Sequence, residues 1–124
     1  MKLQYQKEID KIKNCPLKNN QGQLTLYRVV ENPISLESFL PQCVLLKPKY
    51  ENMCEAWGLS LFSRYQTAQM KLKGLSKKKR PQYIAIAESS IGDMDGIKHC
   101  GKDKAHYTFF PNEGFDFMKN FKII

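Results

Sequence analysis

WGLSLFSRYQTAQMKLKGLSKKKRP, residues 57–81, reads as a strand, a helix and a basic loop in immediate succession. Gly58 to Phe62 is short and apolar, with one serine, Ser60, in its middle. Ser63 and Gln66 stand in an S-x-x-Q capping box, in which the hydroxyl accepts from a first-turn amide and the glutamine side chain bonds back to the cap. That spacing predicts a helix from Arg64. Gly74 supplies its left-handed stop, and Lys71 and Lys73 occupy the last turn, where the negative end of the helix dipole favours cations. Such a strand-to-helix corner can present a serine and free amides to a ligand, and it serves equally well as scaffold.

Upstream, Leu24 to Val30 is β-branched and aromatic enough for a strand. Strand side chains alternate, so Arg28 shares a face with Leu24, Leu26 and Val30 and has to be paired, bound to a ligand or placed at the strand's open end. Before it, Tyr5, Ile9 and Ile12 recur at helical spacing, which predicts an amphipathic helix over 3–13, and Lys18 to Gly22 reads as a polar linker. Between the two strands, residues 32–41 read as a turn and a short helix capped by Ser35. Val44 to Leu46 suit a short strand or a core plug, and Glu51 to Ala56 a single helical turn delivering Trp57. Downstream, Tyr83 to Ala87 is a strand, Ser89 to Gly96 a turn region, His106 to Phe110 a strand stopped by Pro111, and Phe121 to Ile124 a terminal strand. The order is mixed rather than regularly βαβ. It predicts one α+β domain with a mixed, mostly antiparallel sheet and a few short helices, residues 1–21 forming an N-terminal helix and linker and 22–124 the core.

A chain of 124 residues buries about two-thirds of the surface it exposes when unfolded, so it needs no disulfide to fold. Cys15, Cys43, Cys54 and Cys100 form no C-x-x-C pair and are expected as free thiols. The charged N-terminus resembles no secretory signal and no apolar run is long enough for a membrane span, which makes the cytoplasm the expected compartment and excludes a membrane partner. Twenty Lys and Arg against twelve acids give a formal charge of +8 and favour an anionic partner. The excess peaks at Lys77, Lys78, Lys79 and Arg80, a run suited to phosphate contacts with nucleic acid or to keeping a neighbouring strand soluble.

Several constellations carry little chemistry. Asp93-Met-Asp95-Gly96 lacks the later oxygen ligands of a calcium loop and reads as a turn. His99, Cys100 and His106 lack paired zinc-ligand spacing, so no metal is expected. No nucleophile elbow, dinucleotide fingerprint or Walker loop is present. Tyr107, Phe109, Phe110, Phe115, Phe117 and Phe121 suit a packed core, with base stacking as the alternative.

The order Leu26-Tyr-Arg-Val-Val30, then Trp57-Gly-Leu-Ser-Leu-Phe62 running into a helix, then Tyr83-Ile-Ala-Ile-Ala87 resembles the core layout of small ADP-ribosyltransferase-like domains. The resemblance spans about residues 24–110 and implies a dinucleotide such as NAD as the compatible cofactor. By it, Arg28 is the phosphate or ribose contact and Ser60 the mid-sheet hydroxyl. The E-x-E or Q-x-E pair of that superfamily has no counterpart here, and Glu88 and Glu113 are poor substitutes. His106 joins the pair as an acid–base group or second anion contact, because imidazole changes charge near neutrality. The expectation is thus a site for a phosphate-bearing nucleotide built from Arg28, Ser60 and His106. The alternative is a non-enzymatic basic module for nucleic acid or an acidic protein, with those three residues structural.

Overall fold

The computed structural model describes residues 1–45, 50–77 and 83–124. Its α+β architecture is one six-stranded antiparallel sheet in the order β4-β5-β2-β1-β3-β6, dressed with short helices. The strands are β1 (Leu24–Val30), β2 (Leu59–Phe62), β3 (Ala85–Ile91), β4 (Gly96–Cys100), β5 (His106–Pro111) and β6 (Lys122–Ile123). The helices are α1 (Gln6–Asp10), α2 (Gln42–Leu45), α3 (Tyr65–Lys77) and α4 (Phe117–Asn120), with 3-10 turns at Leu36–Phe39 and Cys54–Trp57. Among the described residues no helix is long and apolar enough to cross a membrane.

Strand alternation divides the core into layers. On one face Leu26, Val30, Leu59, Leu61, Ala87 and Phe109 pack against Phe39 of the first 3-10 turn and against Phe117 and Phe121 around α4. The opposite face is covered in two pieces. Phe62 and Ile86 pack on Ala68 of α3, while Phe110 packs with Leu3, Ile9 and Trp57 under the N-terminal segment. The C-terminal aromatics are therefore core: Phe109 and Phe121 are 0% and 2% exposed.

Several sequence expectations change. The helix over 3–13 shrinks to α1, because Leu3 bridges to Asn112 and the first residues follow the sheet instead. The linker is tied to the sheet: Asn19 and Asn20 side chains accept from Lys98 N and Cys100 N at 3.1 and 2.9 Å, closing the exposed edge of β4. Gly74 does not stop the helix. It lies inside α3, where the roughly 1 kcal/mol propensity cost is outweighed by packing of Leu72 on its side of the core. Ser63 does not cap that helix either, since its N–H and hydroxyl donate to the Ala105 and Lys104 carbonyls and extend the β2–β5 contact. Ser35 flanks the first 3-10 turn but gives its hydroxyl to Glu31 rather than to a turn amide. Val44 and Leu45 belong to α2, and Leu46 lies outside the described residues.

The turn expected at 89–96 is shorter, because Ser89–Ile91 continue β3 opposite Leu24–Leu26. Asp95 accepts from Gly92 N at 2.8 Å and closes the bend. Gly96 then enters β4 at φ +150°, with its Cα against the Phe110 carbonyl where a side chain has no room.

The thiol expectation is corrected for two cysteines. The fold brings Cys15 and Cys54 to a Cα separation of 5.7 Å, and they form a disulfide across 39 residues of sequence. Cys43 and Cys100 are free and buried.

Beneath the linker, Lys98 is fully buried and its ammonium lies 2.8 Å from Asp93 Oδ1. Asp93 also accepts from Asn19 Nδ2 and Gly22 N, each at 3.1 Å. The Lys98 hydrogen bond first, then those from Asn19 and Gly22, hold its carboxyl down to about 2. Because the folded value lies below the ordinary one, Asp93 stabilises the fold above about pH 4 and that stabilisation is lost as pH falls toward 2. Urea titrations between pH 7 and pH 2 are expected to show a midpoint that drops across this window, and a smaller drop in Asp93→Asn. An equal acid response in both proteins would rule out Asp93 as its source.

Candidate functional site

The pairing of β1 with β2 is registered at a single residue pair, Tyr27 opposite Phe62. Beyond it the strands part toward Val30 and Leu59, and a cavity of about 410 Å³ opens there. That volume is in the range of small-molecule sites. Its wall draws on β1, β2, α2, α3, the 3-10 turn Cys54–Trp57 and the residues before β3, including Arg28, Ser60, Glu55, Lys71 and Tyr83. Gly58 belongs to the same wall, and a Cβ there would lie 2.6 Å from Thr108 Cγ2, so a larger residue would have to displace that side chain.

Arg28 is half-buried beside this opening. Its Nε donates to the Ser38 carbonyl at 2.7 Å and Nη1 to the Ser60 carbonyl at 2.8 Å. The guanidinium thus provides a donor where fully paired strands would offer a main-chain N–H. Its centre lies 6.0 Å from the Phe39 ring, a cation–π contact at the outer limit of range. Burial pulls its pKa down to about 10, which leaves the cation intact at neutral pH. A guanidinium carries five N–H donors, and two are engaged here. Among the described residues no carboxylate lies within 4 Å of it.

Ser60 connects Arg28 to His106. Its hydroxyl is exposed and lies 3.0 Å from His106 Nε2. Register puts Ser60 on the α3 side of the sheet with Phe62 and puts Arg28 on the other side with Leu59 and Leu61. Arginine therefore meets the backbone end of Ser60 and histidine meets its side-chain end. The α3 cluster and the N-terminal cluster leave this part of the face uncovered.

His106 packs edge-on against Phe62, with ring centroids 5.7 Å apart. Burial lowers its pKa from the ordinary 6.5, opposed by the charge of Asp103 and assisted by that of Lys71. The imidazole is accordingly neutral at pH 7. In the Nδ1-protonated tautomer the Ser60 hydroxyl donates to Nε2, the arrangement in which histidine acts as a proton acceptor.

Local sequence gives Lys71 a helix-dipole role and Glu55 none, yet both line the cavity. The available signal was the i, i+4 spacing of Lys71 and Leu75, which puts both on one helix face, and both line the cavity. Glu88 sits mid-sheet opposite Tyr27, and Glu113 pairs with Lys2 at 3.7 Å, so neither lines this cavity. Lys77 ends α3, while Lys78, Lys79 and Arg80 lie outside the described residues. His99 Nδ1 lies 2.8 Å from the Lys18 carbonyl at the sheet edge. No family model, curated protein or solved structure matches the chain.

Proposed function

We propose that the cavity at the parted end of β1 and β2 binds a phosphate-bearing nucleotide, with Arg28 holding the anionic group. The observation that carries this reading is a half-buried guanidinium with three N–H donors unengaged by protein acceptors and no carboxylate partner among the described residues. A charged group removed from water calls for a counter-charge, and guanidinium grips phosphate through two parallel bonds. Lys71 is a second cation on the wall, and Phe62, Leu75 and Tyr83 offer apolar and aromatic surface for a base. A dinucleotide such as NAD, implied by the ADP-ribosyltransferase-like order of elements, is one member of this ligand class. Glu55 is the carboxylate on the same wall.

Calorimetric titration of ADP, NAD and inorganic phosphate tests it. Arg28→Ala is expected to weaken nucleotide binding roughly tenfold to a hundredfold, the worth of one charge-assisted hydrogen bond or more. Because two carbonyls lose their donor, the free protein should also lose about 2–3 kcal/mol, so binding is measured well below the variant's melting temperature. Arg28→Lys keeps the charge without the fork and is expected to fall between the two. Wild-type protein that binds no nucleotide at millimolar concentration, or an Arg28→Ala variant that binds as well, would remove the reading.

The charge of +8 supports a second reading, a basic module for nucleic acid. An unrelated single-stranded oligonucleotide in the same titrations separates them. A nucleic-acid module binds it with a steep salt dependence that follows Lys77 to Arg80 and is indifferent to Arg28.

A further inference from the structure

We infer that Ser60 is a nucleophile toward phosphorus, with His106 as its proton acceptor, acting on the ligand held in the adjoining cavity. This deepens the phosphate-site reading and rests on it for the class of substrate.

Three independent features converge on Ser60. Its hydroxyl is exposed on an otherwise buried strand: Leu59, Leu61 and Phe62 around it are 2%, 0% and 8% exposed. The residue lines the cavity, and its main-chain carbonyl is held in place by Arg28 Nη1 at 2.8 Å from the other side of the sheet. An imidazole nitrogen lies 3.0 Å from Oγ, within the reach a general base needs. A structural serine on a strand satisfies its hydroxyl equally well with water. Here the partner is a ring whose position is fixed by Phe62 and by the β2–β5 register, in which His106 sits opposite Phe62.

The charges around the ring suit the role. Asp103, from the loop before β5, and Lys71, from α3, act on the imidazole with opposite sign, while burial keeps it neutral at pH 7. Among the described residues no hydrogen bond joins Asp103 to the ring, so its contribution is through space. Positive charge from Lys71, on α3 and on the cavity wall, is placed on the hydroxyl's side of the sheet to offset the charge on a phosphoryl group under attack.

The step balances without a redox partner. Ser60 Oγ forms a bond to phosphorus, and the bond from phosphorus to the leaving oxygen breaks with its electron pair. The hydroxyl proton passes to His106 Nε2 and from there to the departing oxygen. The product is a phosphoryl ester on Ser60 and a free alcohol or phosphate.

An alkyl fluorophosphonate reports this chemistry directly, because fluoride leaves from phosphorus and a stable adduct remains on the nucleophile. Peptide mapping of the full chain is expected to locate one adduct, on Ser60, and to find none there in Ser60→Ala. His106→Gln, which retains a hydrogen-bonding side chain but cannot take the proton, should slow labelling roughly 100-fold. Labelling of wild type should rise with pH through a midpoint below 6.5, the direction set by the lowered His106 value. Circular dichroism establishes that both variants are folded. Labelling at other residues only, no labelling, or an unchanged rate in His106→Gln overturns the inference. Arg28-dependent nucleotide binding without a Ser60 adduct removes the nucleophile and leaves the binding reading standing. A His106-dependent adduct on Ser60 in a protein that binds no nucleotide keeps the nucleophile and removes its assigned ligand.

Discussion

Phe109→Ala is expected to cost about 3–5 kcal/mol, the range for truncating a fully buried aromatic side chain. Phe109 is 0% exposed, lies in the middle of β5 opposite Leu59 and Lys98, and meets Phe115 edge-on at 5.2 Å. Its cluster joins residues of β1, β2, β3 and β5 to the aromatics around α4, so a cavity there loosens both the sheet and its C-terminal cover. For a chain of this length the loss corresponds to a fall in melting temperature of roughly 10–20 °C. Phe109→Leu keeps most of the volume and should recover more than half of it. Calorimetric melting of the three proteins is the measurement. A loss below about 1 kcal/mol in the alanine variant would contradict the packing described for this layer. The same experiment bears on base stacking: a core residue lowers stability with or without nucleic acid present, whereas a stacking residue lowers affinity in a protein of unchanged stability.

Removing the Cys15–Cys54 disulfide is expected to destabilise the chain by roughly 4 kcal/mol, the chain-entropy value for a cross-link spanning 39 residues. The bond ties the segment after α1 to the 3-10 turn Cys54–Trp57, where Trp57 packs with Tyr5 at 5.6 Å and donates Nε1 to the Glu51 carbonyl at 2.9 Å. That turn leads through Gly58 into β2 and supplies Glu55 to the cavity wall, so the effect should extend to ligand binding. Cys15→Ser/Cys54→Ser and the reduced wild type are expected to melt alike, both below the oxidised protein. Thiol titration in denaturant should count two free cysteines in the oxidised chain, Cys43 and Cys100. Four thiols in that titration would eliminate the bond, and coincident melting curves with and without reductant would eliminate its contribution.

Local sequence was sufficient wherever period and side-chain type agree. The run Leu24–Val30 became β1 without a residue's difference, Ser60 landed mid-strand in β2, and His106 opened β5. Alternation along β1 also put Arg28 on the face with Leu26 and Val30, where Ala87 is its register partner. These follow from a repeat of two and from β-branched or aromatic composition, properties a short window contains. Capping and stopping signals carried less. Ser63 is drawn into the contact with Lys104 and Ala105, and Gly74 is carried through by packing, because bonds to residues far along the chain outweigh a preference worth about 1 kcal/mol.

The amino-acid sequence by itself therefore determined an α+β chain with a net positive charge and an arginine placed among aliphatic residues. Only tertiary structure decided what that arginine meets. Residues 28, 60 and 106 lie on three strands, and their contact depends on strand order, on the single registered pair between β1 and β2, and on which side of the sheet each residue occupies. The same holds for Cys15 with Cys54 and for Asp93 with buried Lys98. Such pairings arise from chain closure over tens of residues, whose cost depends weakly on length, so spacing carries almost no trace of them and the packed core selects the partners.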